Sequence, residues 1–215
     1  HIPNYYVWIR NISNALEKLK NVSELRNAAR NIDNMAVRDS LTGVYNRMGI
    51  NRFVVDMVKQ ANTSRRRLLF IFADMDGLKK INDEFGHEAG DQAICLAAEA
   101  LQEAFCEKEL IIRYGGDEFL VVSGASRYLL RAAGILPSPS VSAAETPAVQ
   151  AEEKKAQITA LLKQWQRDEK LPYRLSMSIG YYQKEPDTEA SMEQYINWAD
   201  ERMYEMKCKN REQRK

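Results

Sequence analysis

Two acidic clusters are placed where carboxylates can work together. Asp74-Met75-Asp76 closes the apolar run from Leu68 to Ala73, and Asp117-Glu118 follows the glycine pair Gly115-Gly116. Carboxylates gathered at strand ends repel one another unless a cation lies between them. Hard divalent cations such as Mg²⁺ take carboxylate and carbonyl oxygens. Two such clusters on adjacent strands would make a platform for phosphoryl or nucleotidyl transfer. Each cluster alone reads as a solvated acidic loop; it is the pairing that points to chemistry.

The segment Gly77-Leu78-Lys79-Lys80-Ile81-Asn82-Asp83 adds groups suited to a nucleotide. The N–H groups of Gly77 and Leu78 follow the carboxylates directly, at an expected helix start, where they can cradle phosphate oxygens. Lys79 adds a point charge for the same phosphates. Asn82 offers an acceptor and two donors, and Asp91 offers acceptors. Side by side they match the edge of guanine, which presents N1–H and N2–H₂ donors beside acceptors. Adenine has no donor at N1, so a carboxylate there selects against it. Read singly, Asn82 is equally a helix cap and Asp91 a first-turn helix charge. His87, the only internal histidine, has no Ser, Cys or second ligand nearby and reads first as a structural hydrogen-bonder. Lys207 and Arg211 lie four residues apart and share a helix face. They can reach triphosphate oxygens, although by charge alone they read as a solvated basic tail.

These residues need elements to hold them. Leu68 to Ala73 reads as a buried strand. Glu109 to Tyr114 and Glu118 to Val122 read as strands joined by Gly115-Gly116-Asp117, a hairpin signal because glycine tolerates positive φ. Tyr173 to Gln183 alternates like a strand. Asn46 to Asn62, His87 to Phe105, Ala151 to Lys170 and Ser191 to Asn210 are helical in pattern. The order is βαββαβ, which predicts an α+β fold with a mixed central sheet flanked by helices. Residues 134–150 hold three of the six prolines and read as a loop insertion.

Residues 1–37 form an expected N-terminal segment, and 38–215 the domain. Ile9, Ile12, Leu16 and Leu19 repeat at helical spacing, as do Val22, Leu25, Ala29 and Ile32. The step from Leu19 to Val22 is three residues where four was due, as in an interrupted coiled coil. Tyr5-Tyr6-Val7-Trp8 with Arg10 reads either as membrane-proximal or as a helix end. The chain starts at His1 and is expected to be a piece of something longer.

Composition bounds the rest. The 215 residues carry 31 Lys+Arg against 30 Asp+Glu, a balance that argues against coating nucleic acid. No apolar run is long enough to span a bilayer. Three cysteines, Cys95, Cys106 and Cys208, are too scattered for a disulfide framework or a zinc site. Cys95 and Cys106 read as buried thiols, which suits a reducing compartment.

Arg113-Tyr114-Gly115-Gly116-Asp117-Glu118-Phe119 contains the signature that names the GGDEF, or diguanylate cyclase, family. The chain resembles that family in five further motifs, in order: Asp39 to Arg47, Asp74-Met75-Asp76, Asn82 to Asp91, Ser176 to Gly180, and Ala199-Asp200 to Lys207. The resemblance covers residues 38–211. It implies a nucleotidyl cyclase, polymerase-palm-like fold, and condensation of two GTP into cyclic di-GMP and pyrophosphate. It implies that Asp74, the Met75 carbonyl and Asp117 hold Mg²⁺, with Mn²⁺ the alternative. It implies that Asp117 and Glu118 are the catalytic acids, one helping to deprotonate the attacking 3′-hydroxyl, with Lys79 beside them. Asn82 and Asp91, with neighbouring His87, become the guanine side. Gly77, Leu78, Lys79, Gly115, Gly116, Lys207 and Arg211 become the phosphate side.

Symmetry follows from that product. Each GTP gives its 3′-hydroxyl to the other's α-phosphate, so two domains meet face to face as a C2 homodimer. The N-terminal helix would supply the effective concentration, under an upstream sensor in the cytoplasm or at its membrane. One alternative is a catalytically silent GTP-binding module, but such relatives lose signature acids that are present here. A cyclase making another cyclic dinucleotide is the other, and Asp91 argues against it. The family's product-binding Arg-x-x-Asp is replaced by Cys106-Glu107-Lys108-Glu109. Feedback inhibition through that site is therefore not expected.

Overall fold

Strand β1 (Leu68–Met75) runs through the middle of the fold, and every one of its residues is buried. The structure, a computed structural model, describes residues 8, 10–22, 36–105, 109–124 and 147–212, with side chains except at 147–150 and 209–212. The chain divides into two compact units, His1–Arg38 and Asp39–Lys215. In the first unit, residues 10–22 are helical, and Ile12, Leu16, Leu19 and Val22 lie exposed along that helix. Leu25, Ala29 and Ile32 of the expected second seam, and Tyr5 to Val7, lie outside the described residues.

In the second unit a π-helical turn, Ile50–Val54, runs into α1 (Val55–Thr63). After β1 come α2 (Leu78–Phe85), α3 (His87–Ala104), β2 (Leu110–Gly115) and β3 (Glu118–Ser123). Helix α4 (Pro147–Asp168), β4 (Met177–Lys184) and α5 (Met192–Glu212) complete it. The sheet order is β2-β3-β1-β4, and all three strand pairings are antiparallel. A parallel bridge joins Tyr45 to Ile112 at the edge. The α+β fold with a helix-flanked sheet is thus present. The strand expected from Tyr173 begins only at Met177, because its partner β1 ends at Met75, the residue opposite Met177, while Tyr173 turns its hydroxyl to the Ala89 carbonyl at 3.2 Å.

Both faces of β1 are covered, which explains its unbroken apolar run. Leu69, Ile71, Ala73 and Met75 pack with α3 and α4. Leu68, Phe70 and Phe72 pack with α1 and α5 through Val54, Met57, Tyr195 and Met203. Successive strand residues point to opposite faces, so one strand feeds two cores. Lys184, fully buried at the end of β4, donates to Asn62 Oδ1 at 2.5 Å and to the Glu185 carbonyl at 2.9 Å, tying α1 to the sheet.

Helix α5 touches β4 backbone to backbone at Gly180. A Cβ there would lie 2.0 Å from the Met203 nitrogen. No rotamer relieves a clash with backbone, so the helix must lift off the sheet. Gly180→Ala is expected to cost about 3 kcal/mol, the upper part of the overpacking range. Urea unfolding measures this, and a loss below about 1 kcal/mol would show that α5 has slack.

Candidate active site

The hairpin of β2 and β3 brings its acidic tip to the end of β1. Glu118 is the direct cross-strand partner of Asp74, and the Met75 N–H donates to the Asp117 carbonyl at 3.2 Å. The two acidic clusters expected to converge do so. Gly116 makes the turn with φ +53°, in the left-handed region that favours glycine. A Cβ at Gly115 or Gly116 meets nothing within 4 Å, so within the chain there is room for a side chain at either position. Any steric demand at Gly115 must come from a ligand.

Asp74 is buried, and the Lys207 ammonium on α5 contacts its Oδ1. Burial pushes the Asp74 carboxyl above its usual range, with Asp117 and Asp76 adding to the rise and Lys207 opposing it. Glu118 is raised likewise, by burial and then by Asp74, Asp117 and Asp200. Asp200 on α5 is raised by burial and Glu201, again against Lys207. The site therefore has more negative charge than its surroundings neutralise, the condition under which carboxylate and carbonyl oxygens take a hard divalent cation. Asp74, Asp117 and the Met75 carbonyl fit Mg²⁺ in donor type; the Met75 side chain is buried in the core and not available. Among the described residues no group of three or more His, Cys, Asp or Glu side chains converges on one point, and this set asks for only two carboxylates.

Asp76 has a different task. Ser178 and Ser176 donate to its two carboxylate oxygens at 2.7 and 2.8 Å, and its own N–H donates to the Ser176 carbonyl at 2.9 Å. It ties β1 to the start of β4.

Gly77 has φ +80° and caps α2 without a side-chain acceptor for the first-turn N–H groups. The helix start thus presents donors beside Asp76, and exposed Lys79 adds its charge there. One turn on, the Asn82 carboxamide lies across Gly90: a Cβ at Gly90 would sit 1.8 Å from Asn82 Oδ1. That contact packs Asn82 against α3 at Gly90, the residue before Asp91. Asp91 and His87 are exposed, and among the described residues His87 has no hydrogen-bond partner, so it does not act as the structural hydrogen-bonder first read. The Arg211 side chain, Cys106 and the 134–146 part of the insertion lie outside the described residues. Cys95 is only half-buried, its thiol 3.5 Å from the Leu41 carbonyl.

Two features of the site carry no role in the sequence reading, Asp200 and a brace behind the hairpin. Asp200 lies seven residues before Lys207, hence on the same helix face, a spacing visible in the sequence. The other is the brace behind the hairpin. Arg113 donates through Nε to the Gly116 carbonyl at 2.9 Å and through a terminal nitrogen to Asp39 at 3.1 and 3.3 Å. Asp39 in turn accepts from the Thr42 amide and hydroxyl at 3.0 and 2.8 Å. Arg47 stacks 4.6 Å over the Tyr114 ring. The loop from Asp39 to Arg47 thereby fixes the signature turn from outside.

Burial alone would raise Asp39, but Thr42 and Arg113 outweigh it and hold its carboxyl below the ordinary value. The folded chain then takes up this proton less readily than the unfolded one. Stability from the brace is present above about pH 4 and is lost as pH falls through the folded value. Asp39→Asn is expected to lower the melting temperature more at pH 7 than at pH 3; equal losses would mean that charge is not what the brace uses. Gly90→Ala is expected to leave melting nearly unchanged, since only a side-chain tip must yield. On the guanine role that the resemblance implies for Asn82, it should weaken GTP binding by about tenfold, the value of one displaced hydrogen bond. Calorimetry with GTP checks this, and unchanged affinity would remove Asn82 from the guanine side.

The family model described as "Diguanylate cyclase, GGDEF domain" matches residues 36–213. The chain is 37% identical over 92 residues to "Probable diguanylate cyclase DgcJ" of Escherichia coli K12, covering 43% of this chain and 18% of that protein. It is 37% identical over 112 residues to diguanylate cyclase DgcP of the same organism, covering 52% and 33%. The chain thus spans a third or less of the length of these relatives. The crystal structure of diguanylate cyclase SiaD in complex with its activator SiaC, from Pseudomonas aeruginosa, superposes with a TM-score of 0.67. That match is at 20% identity and covers 96% of this chain and 72% of that one, a likeness of fold. No helix among the described residues is long and apolar enough to cross a membrane. A family match over most of the chain, on a fold that carries the signature at a hairpin tip opposite Asp74, makes this chain a member of the GGDEF, diguanylate cyclase, family.

Proposed function

We propose that this chain condenses two GTP into cyclic di-GMP, with release of two pyrophosphates, where two of its domains meet. The observation that carries this reading is the register that sets Glu118 opposite Asp74 with Asp117 bonded to Met75. Asp91 and Asn82 read the guanine edge, with His87 at the rim. Gly77, Leu78, Lys79, Lys207 and Arg211 bind the triphosphate, and Gly115 and Gly116 leave room for it. Asp74, Asp117 and the Met75 carbonyl would hold Mg²⁺, which supplies charge neutralisation on the phosphates and a more acidic hydroxyl.

The reaction balances without further reactants. The 3′-oxygen of one GTP forms a bond to the α-phosphorus of the other, and the bond from that phosphorus to the bridging oxygen breaks. Pyrophosphate leaves with the bonding electrons. The 3′-hydroxyl proton passes to a nearby carboxylate, and Glu118 suits this because burial and its acidic neighbours raise its affinity for a proton. A second, symmetric transfer closes the ring. One domain presents one guanine side, so each reacting hydroxyl comes from the other domain. The exposed seam through Ile12, Leu16, Leu19 and Val22 is suited to bring two copies together, and an upstream sensor would act through it.

Incubating the chain with GTP and Mg²⁺ at several concentrations tests the reading. Cyclic di-GMP is expected, identified by mass, with a rate rising faster than linearly in protein. Glu118→Gln is expected to lower turnover at least a hundredfold while GTP binding stays within a few fold. GTP binding without product at any concentration, even in an artificially dimerised chain, would favour a silent GTP-binding module.

A further inference from the structure

Lys207 sits on a group that the proposed metal set also needs. Its ammonium contacts Asp74 Oδ1, and the two side chains are 19% and 11% exposed. Among the described residues it is the one cation that opposes the upward shifts of Asp74, Glu118 and Asp200 alike. The contact itself joins α5 to the end of β1. An oxygen of Asp74 that holds the Lys207 ammonium is a poor ligand for a small divalent cation, because the two positive charges repel one another at contact distance. Contact with Lys207 and coordination of a cation at Asp74 are thus competing states.

Building on the cyclase reading, we propose that Lys207 is an exchangeable counter-ion. It holds Asp74 until the phosphates of a nucleotide draw its ammonium away, so that cation and nucleotide load together and the free cation alone loads poorly. The stem of a lysine makes the transfer possible. Its rotatable methylenes let the ammonium swing between a carboxylate and a phosphate while Met203 keeps α5 seated against Gly180. The exchange is reciprocal. Whatever Lys207 costs the cation in the absence of nucleotide reappears as extra coupling between the two ligands when both bind.

The test uses the full chain and Mn²⁺ as the probe, followed by its free-ion paramagnetic resonance signal. Lys207→Met keeps most of the stem and removes the charge. It is expected to bind Mn²⁺ alone at least tenfold more tightly than the unaltered chain. A GTP analogue with methylene between the α and β phosphorus atoms, which cannot react, is expected to tighten Mn²⁺ binding at least tenfold more in the unaltered chain than in Lys207→Met. Equal Mn²⁺ affinity in the two proteins, or equal coupling to the analogue, overturns the exchange. The unaltered chain gives a check that needs no variant: Mn²⁺ binding as tight without the analogue as with it also overturns it. Cyclic di-GMP formed alongside any of these failures leaves the cyclase reading standing. No product from GTP and Mg²⁺, even in an artificially dimerised chain, overturns the cyclase reading and leaves the Mn²⁺ comparison to decide the exchange.

Discussion

Like-charge repulsion at the end of β1 is the constraint around which this domain is arranged. Asp74 is buried where the hairpin from β2 to β3 and helix α5 all arrive, and each brings another acid: Glu118 and Asp117 from the hairpin, Asp200 from the helix. A fold that only had to be stable would dilute such a cluster, because buried carboxylates without full compensation cost more than they return. Here a single ammonium offsets part of the charge and leaves the remainder. That residual imbalance is the kind that a divalent cation would offset, and it must be sustained by the rest of the structure.

The support is built where it does not touch ligand. Two cores, one on each face of β1, make the strand rigid from Leu68 to Met75. Gly180 brings the α5 backbone onto β4, so that Lys207 and Asp200 reach the site from a helix that cannot drift outward. Arg113 holds the hairpin turn through the Gly116 carbonyl and hands the other end of its guanidinium to Asp39. Asp76, whose sequence suggests a ligand, serves as a strut between β1 and β4. Acidic groups with complementary partners hold the frame, while those without enough partners form the site.

Legibility in the sequence follows the same division. The apolar run of β1 and the Gly-Gly turn fixed the strands because both signals are local: continuous burial for the one, positive φ for the other. The convergence of Asp74 with Asp117-Glu118 was legible because both clusters end strand patterns. The task of Asp76 was not, since its serines lie a hundred residues away and a hydroxyl partner leaves no periodic trace. His87 illustrates the opposite error: a lone histidine beside glycines suggests a structural bond, and the helix start instead leaves it exposed. The brace from Asp39 to Arg113 spans 74 positions in a fold where only the sheet brings them together.

Under the cyclase reading this site is half of a reaction centre. The residues it assigns to guanine, to the phosphates and to the acids lie on consecutive elements from β1 to β3, with Lys207 returning on α5. Under the cyclase reading, turnover is therefore governed by how often and how squarely two domains meet. No lid within one domain need close. A helix with an exposed apolar seam is an economical means of setting that frequency, since raising the local concentration of one domain near another accelerates an encounter without altering either site.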